Sequence, residues 1–457
     1  MTMEAWLKSA LHYIPEWLDF QMQLTEQPGC VVAIASKGRL VLEKAFGVAN
    51  IVTGQKLTPR HRFRVASHSK TFTAAAVLRL CEKEMLRLDD PAGLYIDGLH
   101  PTIAETRISQ LLSHSAGIVR DGNDAGYWRN RRPFLNAKEL RTELRDPLIL
   151  EPSSQFKYSN HAFGLLGLII ESVTGEAYCE CVKRLIVDGS KLEETLPDTP
   201  VPPTVPIAQG HSRKLPLGYR VIIPGDDPTN ALAPATGFLA TAADLSLFFS
   251  TLDPDAKRSI LTRSSRKEMT RIHWKNHSEY EERYYGLGTM IGKTGHWDWF
   301  GHMGAFPGFL TRTVAVPQRN ISVSVITNSV DGPSSIWSDA ILYILQKFEE
   351  RGAPKAKTKK WEGRWWDLWN TLDFVAMGDR VLVTDPSLQV PFRDASEITL
   401  TGRDEGKISA APGWKNFGEN ARLIRGPTGL ARAAWLGGTK LSTKHRVASD
   451  LKKKYES

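Results

Sequence analysis

Cysteine is scarce in this chain, which has four thiols (Cys30, Cys81, Cys179 and Cys181) among 457 residues. Four scattered cysteines are too few for a disulfide framework in a chain of this length, which favours a reducing compartment. Cys179 and Cys181 form a single C-x-C without a second pair, so the usual spacing of a zinc site is missing. We therefore expect no metal site.

Long apolar runs are also missing. The longest lies near AFGLLGLII at 162–170, well below the roughly 18 residues that a membrane-spanning helix needs. The first twenty residues carry acids among their apolar residues and no basic segment followed by a clean apolar run, unlike a secretory signal. These features predict a soluble, cytoplasmic protein without a membrane partner.

The positive charge of the chain follows no pattern typical of a nucleic-acid-binding surface. The formal net charge is +9, but residues 1–352 hold 40 Lys and Arg against 38 Asp and Glu. The excess lies in the remainder, with 19 against 12, including KAKTKK at 355–360 and LKKKYES at the end. Such runs are usually solvated, and we expect no nucleic-acid partner.

The length predicts more than one domain, because single cores stop growing below this size. Strand-like segments lie near both ends of the first 350 residues, with helical patterns between them. This order favours an α+β fold: an antiparallel sheet built from both chain ends, flanked by helices and carrying a helical insertion. Residues 361–440 hold six of the 13 tryptophans in short alternating segments, which indicates a small all-β domain. The predicted division is a main domain at 1–352, a Lys-rich linker at 353–360, a β domain at 361–440 and a basic tail at 441–457.

The stretch RVASHSKTF places Ser67 three residues before Lys70, where an apolar helix is predicted over 69–86. A serine hydroxyl needs a nearby base to become a nucleophile. Lys70 would lie one turn away on the same face of the helix. Burial lowers the pKa of a lysine and so favours the neutral amine, which can act as a base. The same residues can also be an ordinary N-cap and a solvated lysine.

The pattern S-x-x-K also occurs at three other places, so by itself it is weak. The other copies are Ser154/Lys157, Ser264/Lys267 and Ser449/Lys452. None of them opens an apolar helix that would bury the lysine. The sequence therefore favours Ser67 and Lys70.

Two further polar clusters stand out. Tyr158-Ser159-Asn160 is the only Y-x-N in the chain, and alone it predicts a turn with Asn160 as the N-cap of a helix over 161–174. The stretch GHMGAFPGF holds the only H-x-G, His302-Met303-Gly304. Glycines beside a histidine on a strand let a ligand approach the backbone, so Gly304 is expected to let a substrate backbone lie against the strand.

In the order SHSK, YSN and HMG, these clusters resemble the serine β-lactamase and penicillin-binding protein superfamily, in its class C-like, CubicO-type branch. LLSHSAGI at 111–118 and APATGFLATAADLSLF at 233–248 are similar to stretches of that branch. The tail from WEGRWWDLWN onward is similar to the lipocalin-like C-terminal domain that some members carry.

The resemblance implies a role for each site residue. Ser67 would be the acylated nucleophile, Lys70 its proton-accepting partner and Tyr158 a second acid/base that relays the proton to the leaving group. The predicted substrate contacts are the Asn160 side chain to an amide or acyl oxygen, a hydrogen bond from the His302 imidazole in place of the Lys of K-T-G, and an oxyanion hole formed by the N–H groups of Ser67 and Ala305.

The resulting prediction is a serine hydrolase that works through an acyl-enzyme and needs no cofactor. Its substrates would be small esters or amides, including peptides with D-residues, with β-lactams at best slow ones. A dedicated carboxylesterase is one alternative, and a non-catalytic protein that holds an apolar ligand is another. Self-association into a homo-oligomer is left open, and the β domain is expected to supply no catalytic group.

Two other stretches need a structural answer. Lys293-Thr294-Gly295 spells K-T-G outright, but the pattern around it predicts a hairpin turn away from the site. The segment 120–136 carries Arg129, Arg131 and Arg132. It is either a solvated loop or a gate that contacts a substrate carboxylate.

Overall fold

The computed structural model describes residues 3–276, 283–413 and 415–456. Contacts divide the chain into two compact units, one made of residues 27–338 and the other of residues 1–26 together with 339–457. The division predicted from sequence, with its boundaries at 352, 360 and 440, stays a prediction. Each unit is described by itself below.

The helices are α1 (Ala5–Leu24), α2 (Ser69–Glu82), α3 (Pro101–Ala104), α4 (Ile108–Leu112), α5 (Ala137–Glu143), α6 (Asn160–Thr174), α7 (Tyr178–Val182), α8 (Ala233–Thr236), α9 (Ala242–Thr251), α10 (Arg263–Thr270), α11 (Ser334–Arg351), α12 (Ala356–Lys359) and α13 (Lys444–Tyr455). Between residues 101 and 112 the chain forms two short helices, α3 and α4, and not one continuous helix. Helix α6 begins one residue earlier than predicted, and its N-cap is Ser159, whose Oγ accepts from the N–H of Ala162.

The strands of the larger unit are β1 (Gly29–Ser36), β2 (Arg39–Asn50), β3 (Gln55–Lys56), β4 (Phe63–Arg64), β5 (Gly210–His211), β6 (Ile222–Ile223), β7 (Leu239–Ala240), β8 (Trp274–Asn276), β9 (Arg283–Tyr285), β10 (Met290–Thr294), β11 (Trp297–Phe306), β12 (Phe309–Val316) and β13 (Ile321–Thr327). Nine of them form one sheet in the order β3-β2-β1-β13-β12-β11-β10-β9-β8. β1 pairs antiparallel with β13, from Cys30 opposite Thr327 to Ser36 opposite Ile321. The predicted antiparallel sheet from both chain ends, with helices inserted between them, is confirmed.

Helix α2 is buried along most of its length, which places its first turn inside the unit. Small residues at 73–76 let neighbouring backbone approach closely, while Phe72 stacks on Phe238 and Phe248 at ring-centroid distances of 4.3 and 4.1 Å. Such aromatic pairs add about 0.5–1.5 kcal/mol beyond the burial of their area. The helix is therefore a rigid base for Ser67 and Lys70.

The smaller unit contains a closed antiparallel barrel of eight strands, as the lipocalin resemblance implies. The strands are β14 (Gly363–Trp366), β15 (Thr371–Met377), β16 (Arg380–Thr384), β17 (Ser396–Leu400), β18 (Glu405–Ala410), β19 (Asn420–Arg425), β20 (Ala431–Leu436) and β21 (Thr439–Ser442). Closure is made where Trp366 of β14 pairs with Ser442 of β21. Large side chains, Trp361, Trp365 and Phe374 among them, form the barrel's buried apolar cluster.

Among the described residues, no single helix is both long and apolar enough to cross a membrane. Residues 160–174 and 178–188 meet the length and composition test only as a pair, bent by 81° between them.

Candidate active site

Ser67 lies on a short 3-10 turn, Ala66–His68, that precedes α2, and not on the first turn of the helix itself. The turn starts with Ala66 in the left-handed region, at φ +47°, a conformation that costs energy for a residue with a Cβ. Ser69 stabilises it by donating from Oγ to the Ala66 carbonyl at 2.6 Å. The result is a half-buried Ser67 hydroxyl above a buried helix.

Lys70 is fully buried, and its Nζ has three oxygen neighbours. These are Asn160 Oδ1 at 2.7 Å, the Ala235 carbonyl at 2.9 Å and Ser67 Oγ at 3.2 Å. The amide and carbonyl oxygens can only accept hydrogen bonds. A neutral Lys70 therefore gives its two hydrogens to Asn160 and Ala235 and turns its lone pair to the hydroxyl of Ser67.

Burial lowers the pKa of Lys70 well below its ordinary value, because desolvation disfavours the ammonium form. The nearby Arg120 charge lowers the pKa further, while the Asp121 carboxylate opposes the shift. The surroundings thus favour the neutral form, in which the lone pair of Lys70 is available to the hydroxyl of Ser67.

Tyr158 approaches the serine from the other side, with its hydroxyl 2.8 Å from Ser67 Oγ. Burial raises the pKa of this phenol above its ordinary value, so it keeps its proton at neutral pH. Its ring also lies 4.7 Å from Lys70 Nζ. Ser67 therefore sits between a proton acceptor and a proton donor.

Asn160 is brought to the site but faces protein on both sides of its amide. Its Oδ1 accepts from Lys70, and its Nδ2 donates to Asp121 Oδ1 at 2.6 Å. Only 3% of the residue is exposed. One hydrogen of the Asn160 amide remains for the predicted contact to a substrate oxygen. The contacts that the structure shows make Asn160 a partner of Lys70.

His302 also reaches the site, but the role predicted for its imidazole is not what the contacts show. Nδ1 lies 2.7 Å from the carbonyl of Met303, which can only accept, so Nδ1 carries the proton. Burial lowers the pKa of His302 well below its ordinary value, so the ring is neutral and Nε2 accepts from the Tyr285 hydroxyl at 2.9 Å. Both ring nitrogens thus have protein partners in this arrangement, and the donation from His302 to substrate stays a prediction.

Gly304 has a different reason to be glycine from the one predicted. A Cβ at this position would lie 2.2 Å from the carbonyl oxygen of Val65 and 2.4 Å from Thr311 Oγ1. The missing side chain lets the turn that carries Ser67 pack against β11. The expectation that the glycine also lets a substrate backbone approach stays a prediction.

The hairpins at the two ends of β11 determine which way its backbone points. The turn at 295–296 is closed by Thr294 and Trp297, and the turn at 307–308 by Phe306 and Phe309. The closing pair of a two-residue hairpin is hydrogen-bonded, and pairs then alternate along the ladder. Both ends give the same result: odd-numbered residues of β11 direct N–H and C=O towards the β10 side.

Because Ala305 is an odd-numbered residue of β11, its N–H points towards the β10 side. Pairing between β10 and β11 begins at Met290 opposite Gly301, so residues 302–306 of β11 pair with β12 alone among the described strands. The N–H of Ala305 therefore points into an open strand edge beside the Ser67 turn. This is the direction that the predicted oxyanion hole requires.

The alternative motifs do not reach this site. Lys293 is exposed on β10 opposite Asp298, and Gly295, at φ +59°, forms the hairpin turn that the sequence predicts. The lysines of the other S-x-x-K copies, at positions 157, 267 and 452, are not buried as Lys70 is. Only the Ser67 copy combines a serine with a desolvated lysine.

Three contributors were missed from sequence: Asp121 behind Asn160, the Ala235 carbonyl at Lys70, and Tyr285 at His302. Ala235 lies in a stretch whose family resemblance was noted, but a backbone carbonyl leaves no residue-type signal. Asp121 and Tyr285 belong to none of the motifs, and only their contacts with Asn160 and His302 identify them as part of the site. Within the described part of the chain, no group of three or more His, Cys, Asp or Glu side chains could hold a metal ion.

Comparison with known sequences gives matches across this unit. A family model described as Beta-lactamase matches residues 19–346. D-aminopeptidase from Brucella anthropi is 26% identical over 359 residues, covering 74% of this chain and 64% of that protein. The chain spans less than two thirds of the length of the curated relatives that it matches first.

Comparison with solved structures shows the fold. A penicillin-binding protein homologue from Pyrococcus abyssi, described as octameric, superposes with a TM-score of 0.67 and 21% identity, covering 95% of this chain and 100% of that one. A D-amino acid amidase from Ochrobactrum anthropi SV3, complexed with D-phenylalanine, gives a TM-score of 0.64 and 20% identity, covering 75% and 98%.

Proposed function

Because the chain belongs to the Beta-lactamase family, we propose that it is a serine hydrolase that cleaves small amides and esters through an acyl-enzyme on Ser67. The observation that carries this proposal is the buried Lys70, whose Nζ lies 3.2 Å from Ser67 Oγ and has two acceptor oxygens, of Asn160 and Ala235, for the two hydrogens of the neutral amine. A serine hydroxyl with such a base is an activated nucleophile.

In the first step, Ser67 Oγ attacks the substrate carbonyl carbon while its proton passes to Lys70. The carbonyl oxygen becomes an oxyanion, which the N–H groups of Ser67 and Ala305 stabilise. The carbon–leaving-group bond then breaks, and the proton held by Lys70 is delivered to the leaving group through the Tyr158 hydroxyl. Lys70 ends neutral, and the acyl group is an ester of Ser67.

In the second step, water attacks the acyl carbon and gives its proton to the same Tyr158 and Lys70 pair. The tetrahedral intermediate collapses, Ser67 Oγ recovers a proton, and a carboxylic acid leaves. No further group is consumed, so one water is used for each bond cleaved.

The preferred substrates we propose are amides and short peptides with a D-residue on the acyl side. Support comes from the relatives, a D-aminopeptidase and a D-amino acid amidase, and from the open edge of β11, where an extended acyl chain could pair with the backbone of Ala305. A carboxylesterase would use the same nucleophile, so the amidase and the carboxylesterase are distinguished by the leaving group that each cleaves, an amine or an alcohol.

Covalent labelling tests the nucleophile. A fluorophosphonate probe should add its mass to the wild type and to Ser154→Ala and Ser264→Ala, but not to Ser67→Ala. Label on another serine, or label that survives Ser67→Ala, would exclude the proposed mechanism.

A substrate panel then tests the class. Matched D- and L-amino-acid anilides and nitrophenyl esters should show the highest kcat/KM for a D-anilide. Faster ester turnover with no anilide cleavage would favour the carboxylesterase, and no turnover by a protein that also fails to label would favour a ligand-binding role. Self-association, seen in the octameric neighbour, stays a prediction that the solution mass tests.

A further inference from the structure

The arginine-rich segment forms a depression of its own beside the proposed active site. The depression has a volume of about 470 Å³ and is lined by residues from the segment between 123 and 132, with Trp128, Arg129, Arg131 and Arg132 in the wall. Ser67, Lys70 and Tyr158 are not among the residues that line it. The depression is thus distinct from the immediate surroundings of the serine, and we ask what its arginines could bind.

The depression carries excess positive charge. Three guanidinium groups and one carboxylate, that of Asp124, line it. Arg132 is already engaged, with Asp124 at 3.4 Å and Glu139 at 2.8 Å. The guanidinium groups of Arg129 and Arg131 are exposed, and no described side chain forms an ion pair with either. Two forked cationic donors thus share one concave surface, a geometry suited to a carboxylate.

Trp128 connects this depression to the strand edge of the active site. Its Nε1 donates to Asp121 Oδ1 at 3.0 Å, and Asp121 accepts from Asn160, the partner of Lys70. Its ring lies edge-on to Phe306, at 6.2 Å between centroids, one residue beyond Ala305. The contact between Trp128 and Phe306 thus brings the wall of this depression to the strand that carries Ala305.

We propose that Arg129 and Arg131 form a subsite for a carboxylate carried by the substrate away from the bond that is cleaved. The inference rests on the proposed hydrolase function and adds the substrate class: anionic amides or esters, with the indole of Trp128 supporting the intervening chain. The carboxylate takes hydrogen bonds from the two guanidinium groups.

Matched substrates test the subsite. Both members of the first pair are nitrophenyl esters: the acyl group of one ends in a carboxylate, and that of the other ends in the methylamide of this carboxylate. In the second pair the leaving phenol carries the variable group, which is a carboxylate in one ester and a carboxamide in the other. We expect the wild type to prefer the anionic member of one pair, and Arg129→Gln/Arg131→Gln to reduce that preference by roughly tenfold or more, as for loss of charge-assisted hydrogen bonds. The neutral member should change by less than about twofold.

The matched control is Arg141→Gln/Arg145→Gln, which removes the same charge from exposed arginines in and after α5. It should leave the preference unchanged. An equal loss on both members of a pair, an equal loss in the control, or no preference in the wild type would overturn the subsite.

Binding to Ser67→Ala decides the question without turnover. By calorimetry, the anionic member of the preferred pair should bind at least tenfold more tightly than the neutral one, and the Arg129→Gln/Arg131→Gln change should abolish the difference. Equal affinities would overturn the subsite even if the fluorophosphonate labels Ser67. Failure of that labelling would instead count against the hydrolase, so the two proposals can fail separately.

Discussion

The side chain of Asn160 is held between Lys70 and Asp121, with Oδ1 2.7 Å from the lysine Nζ and Nδ2 2.6 Å from the carboxylate. A carboxylate only accepts, so Asp121 fixes which end of the amide faces the lysine. Asp121 also accepts from the indole of Trp128. The segment at 120–136 is thereby joined to the proposed base.

Replacing Asp121 should disturb the base without removing it. In Asp121→Ala the Asn160 amide can turn its NH₂ towards Lys70, and we expect kcat/KM to fall by about tenfold, within the about 1–3 kcal/mol for a lost buried partner. Since the Asp121 charge raises the pKa of Lys70, the acid limb of the kcat/KM profile should also move to lower pH. Asp146→Asn, an exposed carboxylate of the same unit, is the control. An unmoved acid limb would contradict the linkage.

Lys70 predicts the sign of the pH dependence. The base must be neutral, so kcat/KM should rise as the pH increases through the lowered pKa of Lys70. Lys70→Arg keeps a positive charge at all these pH values, and its activity should stay near zero from pH 5 to 9. A pH profile of both proteins on a nitrophenyl ester measures this. Appreciable activity of the arginine variant would show that another group is the base.

The free energy of unfolding should also depend on pH through Lys70. In the folded chain Lys70 has a lowered pKa, so between that pKa and the ordinary value of about 10.4 the unfolded chain binds the extra proton. The free energy of unfolding contributed by this group therefore rises with pH across that window. Denaturant unfolding at several pH values should show a smaller rise for Lys70→Met than for the wild type. Equal slopes would mean that the lysine is charged when buried.

Tyr158→Phe keeps the ring and removes the hydroxyl next to Ser67. Loss of a general acid/base should lower kcat by about a hundredfold or more, most strongly for anilides, whose leaving group needs a proton. Tyr219→Phe, on an exposed tyrosine, provides the comparison. Turnover close to that of the wild type would remove Tyr158 from the proton path.

His302 and Tyr285 should act as one unit, because the phenol donates to the ring nitrogen. We expect roughly tenfold losses in kcat/KM for His302→Ala and Tyr285→Phe, and no greater loss in the double variant, as for coupled residues. Lys293→Ala should change little, since that lysine is on an exposed hairpin. A large loss for His302→Ala with a normal Tyr285→Phe would contradict this coupling and favour the predicted donation from His302 to substrate.

The sequence by itself determined the features that depend on local spacing. Ser67 and Lys70 are three residues apart on a continuous helical path, so their proximity needs no other element. The two-residue turn at 295–296, which the sequence predicts, sets the register of β10 and β11. The K-T-G hairpin could be set aside for the same reason.

Only the tertiary structure decided what the polar groups of the site face. The partners of Asn160 and His302 are Asp121 and Tyr285, which come from segments 39 and 17 residues away. The close approach of Val65 to Gly304 likewise joins two segments far apart in the chain. A hydrogen bond depends on a partner within about 3 Å, and residue order does not give that distance when the partners meet only through packing of the sheet against its helices.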